Sequence, residues 1–117
     1  MDELEDLRAR IAAFAAERDW DQFHNPKNLA MALIAECAEL VEHFQWLDAA
    51  ESERLPADKL AQVRLELADV LIYLVRIADR LGVDLAAAAR EKIALNAERY
   101  PAERVRGDAR RAGEYER

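Results

Sequence analysis

Between Leu67 and Ala78 only Asp69, Tyr73 and Arg76 interrupt an otherwise apolar sequence. Wound as a helix, such a segment is apolar around most of its circumference and must be covered on several sides. A chain of 117 residues reads as one domain with a single modest core. Two long and two shorter helices can enclose the segment only in part, so the expected architecture is an all-α four-helix bundle completed by self-association.

The rest of the chain agrees with an all-helical reading. Three Gly and three Pro are few for a sheet protein, which needs frequent turns. Ala, Leu, Glu and Arg dominate instead. The first helix is expected over residues 3–18, with Leu4, Leu7, Ile11, Phe14 and Ala15 at helical spacing. Residues 19–25 break it. Asn25-Pro26 then pairs an N-cap side chain with proline at the first helical position and starts a second helix, over 26–47. After a polar connection over 48–57, a third helix is expected over 57–81, with Gly82 placed for a left-handed C-terminal cap. Asp84 can cap a fourth, ending near Arg99 before Pro101. Residues 1–101 are expected to form the domain, and residues 102–117 a charged, flexible tail.

Several function classes are disfavoured. A net charge of −7 argues against coating a nucleic acid polymer, which needs Lys and Arg against phosphates. Cys37 is the single cysteine, so neither an intrachain disulfide nor a Cys-based zinc site is available. The opening Met1-Asp2-Glu3-Leu4-Glu5-Asp6 is acidic where a signal peptide would be basic. No apolar run approaches the ~20 residues of a membrane span. A soluble cytoplasmic protein is expected.

Two carboxylate pairs carry the chemistry: Glu36-Cys37-Ala38-Glu39 on the second helix and Glu66-Leu67-Ala68-Asp69 on the third. Spacing of i,i+3 leaves both members of a pair on one side of the helix, about a turn apart. None of the four has Lys or Arg three or four residues away, and apolar sequence surrounds both pairs. Clustered carboxylates in such a setting either take up protons or bind a cation. Oxygen donors on facing helices suit Mg²⁺ or Mn²⁺ better than zinc. A solvated acidic face is the competing reading, since Glu at this spacing is common on helices. A di-iron bundle lacks its Glu-x-x-His signature here, and no P-loop is present.

At these residues the chain resembles the MazG-like all-α nucleoside triphosphate pyrophosphohydrolases, whose signature is Glu-x-x-Glu, a spacer, then Glu-x-x-Asp. The flanks are more specific and are similar to the dCTP pyrophosphatase branch: residues 18–24 (Arg-Asp-Trp-Asp-Gln-Phe-His), 26–29 (Pro-Lys-Asn-Leu), 44–46 (Phe-Gln-Trp), 69–74 (Asp-Val-Leu-Ile-Tyr-Leu) and 99–101 (Arg-Tyr-Pro). The match runs from about Phe14 to Pro101.

That resemblance implies Mg²⁺-dependent cleavage between the α- and β-phosphates of a (deoxy)nucleoside triphosphate by a homo-oligomer, dimer or tetramer. It implies Glu36, Glu39, Glu66 and Asp69 as the magnesium ligands and catalytic carboxylates, with Glu39 the one best suited to orient or deprotonate water. Trp20, His24, Trp46 and Tyr73 fall where the branch builds its base and sugar pocket, and Lys92 and Asn96 where the last helix meets phosphate. One departure concerns the base: dCTP-specific relatives place a His nine residues before the Trp matching Trp20, where this chain has Ile11. The substrate expected is dCTP or a modified dCTP. The alternatives are dUTP or another non-canonical nucleotide, or a non-enzymatic helical assembly module. Arg104, Arg106, Arg110 and Arg111 in the tail are candidates for a lid over a bound triphosphate, against the simpler reading of a disordered end.

Overall fold

The computed structural model describes residues 2–110 and 112–115. Among them every regular element is helical: α1 (Glu3–Glu17), α2 (Pro26–Glu42), α3 (Ala49–Ser52), α4 (Ala57–Leu81), α5 (Leu85–Arg99), α6 (Ala102–Val105) and α7 (Ala112–Tyr115). The four helices expected from periodicity are α1, α2, α4 and α5; the other three are single turns. None of these helices is long and apolar enough to cross a membrane.

The helix ends follow their local chemistry. Asn25 Oδ1 accepts from the backbone N–H of Asn28 at 2.9 Å, satisfying a donor the helix cannot, and Pro26 occupies the first turn. Asp2 and Asp84 cap α1 and α5 in the same way. Gly82 ends α4 with φ 70°, a left-handed conformation that glycine adopts without the Cβ clash other residues meet.

Two expectations are corrected. The second helix stops at Glu42 rather than 47. From His43 onward the backbone bonds are mostly three residues apart (His43 to Leu40, Phe44 to Val41, Leu47 to Phe44), the tighter winding that ends many helices. The connection over 48–57 is not all loop either, because Asp48 and Glu51 form a reciprocal capping box that winds α3.

The chain divides into two compact units, Met1–Val83 and Asp84–Arg117. In the first, α2 packs chiefly on α4 and α1 lies along α4. The buried apolar residues are Ala15, Leu29, Val63, Val75 and Ala78, drawn from all three long helices. Arg76, one of the polar interruptions in the apolar helix, is buried too, at 4% exposure. In the second unit α5 runs from its Asp84 cap to Tyr100. Of the tail arginines, Arg110 pairs with Asp108 at 2.7 Å, and Arg111 lies outside the described residues.

Asn25→Ala removes the cap at the start of α2 and is expected to cost about 1 kcal/mol. Urea denaturation checks this: the midpoint should fall with an unchanged slope, and an unmoved midpoint would deny the cap its role.

Candidate metal centre and nucleotide pocket

Glu36 and Glu39 stand one turn apart on α2, and Glu66 and Asp69 one turn apart on α4, the helix against which α2 packs. Glu36, Glu39 and Glu66 each offer a carboxylate oxygen within 4.8 Å of the others. Asp69 lies outside that tight group and is exposed. Its charge still reaches Glu36.

Burial makes the cluster unusual. Glu36 Oε2 and Glu66 Oε2 are shielded from solvent and have no hydrogen-bond partner, a costly state for an ionised oxygen. Desolvation pushes the Glu36 carboxyl above its ordinary value. The hydrogen-bonding contact with Glu39 and the negative charges of Glu39, Asp69 and Glu66 push the same way. The donors are hard oxygens, two of them unsatisfied, and they fit a hard divalent cation such as Mg²⁺ or Mn²⁺.

Sequence reasoning missed the cationic side of this cluster. His43 Nε2 lies 3.7 Å from Glu66 Oε1, and Lys59 Nζ lies 3.1 Å from His43 Nδ1. An ammonium only donates, so Nδ1 is the accepting nitrogen in the Lys59 contact while Nε2 faces Glu66. The signal was present: His43 is four residues beyond Glu39 and shares its helix face. Lys59 also borders a cavity of about 580 Å³ beside α3, lined by Leu47, Asp48, Arg54 and Pro56 among others. None of the sequence-predicted site residues lines it.

The aromatic residues divide. Trp20 meets Phe14 edge-on, with centroids 5.7 Å apart, and lies 6.1 Å from His24. Trp20 and His24 are thus brought together in the turn between α1 and α2, against Phe14 of α1. Tyr73 is half-buried, four residues and about one turn after Asp69 on α4. Trp46 follows the end of α2 and is 86% exposed, so it is not packed beside the others. Lys92 and Asn96 share one exposed face of α5, in the second unit.

Comparison with known proteins follows the same residues. The model of the MazG-like family matches residues 32–114. The chain is 49% identical over 108 residues to mouse (Mus musculus) dCTP pyrophosphatase 1, covering 91% of this chain and 64% of that protein. It is 47% identical over 110 residues to the human (Homo sapiens) dCTP pyrophosphatase 1, covering 92% and 65%. The chain therefore spans somewhat under two thirds of the length of these curated relatives. Among solved structures, a pyrophosphatase from Archaeoglobus fulgidus superposes with a TM-score of 0.75 at 34% identity, over 86% of this chain and 94% of that one.

The raised Glu36 pKa has a stability consequence. The folded state holds this proton more tightly than the unfolded chain, so the contribution is present below pH 4.5, the ordinary value, and is lost as pH rises through the raised one. Thermal melts in chelator from pH 4.5 to neutrality should show Glu36→Gln resisting this loss. Parallel melting curves for the two proteins across that window would contradict it.

Proposed function

The chain belongs to the MazG-like family, and from that premise we propose that it is a nucleotide pyrophosphohydrolase converting dCTP or a modified dCTP to the monophosphate and pyrophosphate. The observation carrying this reading is the convergence of Glu36, Glu39 and Glu66 within 4.8 Å across two helices, with two buried oxygens unpartnered. The mammalian relatives are dCTP pyrophosphatases and the archaeal structure is a pyrophosphatase, and both support it.

In this reading Glu36, Glu39, Glu66 and Asp69 hold Mg²⁺, with Mn²⁺ as a substitute. When bound, the ion neutralises phosphate charge and lowers the pKa of neighbouring water. Glu39 is the exposed member of the tight group and is assigned to orient the attacking water and take its proton. Water adds to phosphorus, the bond between the α- and β-phosphates breaks, and pyrophosphate carries away the electron pair. Positioning and charge supply most of the acceleration in such transfers. Trp20, His24, Trp46 and Tyr73 are assigned to the nucleoside, and Lys92 and Asn96 to the phosphates.

Residues 1–101 are proposed as the working domain, acting on free nucleotides in the cytoplasm, with 102–117 as a tail. A second substrate reading, dUTP or another non-canonical nucleotide, is favoured by one observation: Ile11 stands where dCTP-specific relatives place a His.

The active form is proposed to be a dimer or tetramer. On α4, Leu60, Leu65, Leu67, Leu71 and Ile72 are between 40% and 61% exposed, and Ile34 on α2 is 71% exposed. Leu60, Leu67 and Leu71 share one stripe of α4 at i, i+7 and i+11, and an exposed apolar stripe of that kind suits an association face.

Two measurements test these readings. Incubation with dCTP and Mg²⁺ should release dCMP and pyrophosphate, and Glu39→Ala or Asp69→Ala should reduce turnover at least ~100-fold with folding intact; release of orthophosphate alone would contradict cleavage at the α-phosphate. Sedimentation should give a dimer or tetramer that Leu71→Glu drives toward monomer, whereas a monomeric unsubstituted protein would remove the association face.

A further inference from the structure

Among the described residues Arg76 is the one buried charged side chain, and its hydrogen bonds lead toward the proposed nucleoside-binding residue His24 rather than to the carboxylate cluster. Its Nε donates to His24 Nδ1 at 3.0 Å, its Nη2 donates to Asp21 Oδ1, and its Nη1 faces Asp79 Oδ2 at 3.6 Å. Asp79 is in turn held by Arg8 at 3.4 Å. Two acidic side chains therefore hold the guanidinium in a plane that aims its Nε–H at the imidazole.

A guanidinium stays protonated and only donates. Nδ1 of His24 must accept, which excludes the doubly protonated ring. It also excludes the neutral tautomer with its proton on Nδ1, so the proton is left on Nε2. Burial and the Arg76 charge lower the His24 pKa below its ordinary 6.5, in agreement. The position suits a pocket role. Asp69, Tyr73 and Arg76 lie at i, i+4 and i+7 on α4, one stripe of the helix, with Arg76 about 10 Å along the axis from Asp69. The imidazole held by Arg76 also neighbours Trp20.

We propose that Arg76 is a positioning residue: it locks His24 as a hydrogen-bond donor through Nε2 to an acceptor oxygen of the bound nucleoside. The inference rests on the pocket assignment under Proposed function. Arg76 touches neither substrate nor metal in this account; it selects what His24 offers.

The test reads the proton directly. Long-range ¹H–¹⁵N NMR of the ¹⁵N-labelled full chain separates the imidazole tautomers, and with two histidines in the sequence a His24→Gln spectrum assigns the signals. The expected wild-type result is a protonated Nε2 and an unprotonated Nδ1; a proton on Nδ1, or averaged signals, overturns the proposal. Arg76→Met should average the two nitrogens and raise KM for dCTP about tenfold, with kcat within about twofold. An unchanged KM beside averaged signals also overturns it. If Arg76→Met does not fold, Arg76→Lys carries the comparison, its single ammonium holding the ring less rigidly. Absence of triphosphate hydrolysis by the unsubstituted protein would overturn the enzymatic reading instead, and the wild-type tautomer would still decide the Arg76 contact.

Discussion

Carboxylate oxygens buried without partners are the constraint around which the larger unit is arranged. Glu36 and Glu66 each place one oxygen out of solvent with no hydrogen bond, at the contact of the two helices that pack most closely. Left alone, such a group is relieved by protonation, as the raised Glu36 pKa indicates. A divalent cation relieves several such oxygens together. The metal-free fold thus carries local like-charge repulsion that a bound ion converts into attraction, and binding and stability become linked.

α4 serves three demands at once. Its inner side supplies Val63, Val75 and Ala78 to the core. The stripe through Asp69, Tyr73 and Arg76 carries its polar side chains, and Leu65, Leu67, Leu71 and Ile72 remain exposed. Few positions on such a helix are left free to be polar, which explains the composition of residues 67–78. The two part-buried polar systems are separate. Lys59 and His43 serve Glu66, whereas Arg76, Asp21 and Asp79 serve His24. In both, a cation that can only donate leaves a histidine Nδ1 as the acceptor.

Local signals were legible in the sequence. Asn25-Pro26, Asp84 and Gly82 placed helix ends because caps are short-range chemistry. The i,i+3 carboxylate pairs were visible because helical geometry alone puts each pair on one side. What the sequence hid depends on contacts between distant segments. Asp21 and His24 lie more than fifty residues before Arg76, so periodicity showed Arg76 only as an interruption. His43 was visible on the face of Glu39, but its use follows from Lys59, which the chain brings back from α4. The early end of α2 is not legible in the sequence because nothing between His43 and Trp46 breaks a helix by composition, and the tighter winding appears only in the backbone bonds. That difference matters for Trp46, which extends from turns rather than from a helix.

Mn²⁺ soaked into crystals of the unsubstituted protein, located by its anomalous scattering, tests the central claim most directly. The account predicts a peak between α2 and α4 within coordination distance, roughly 2.0–2.6 Å, of oxygens from Glu36, Glu39 and Glu66. A peak elsewhere, or well-ordered carboxylates turned apart to solvent with no ion among them, would contradict it.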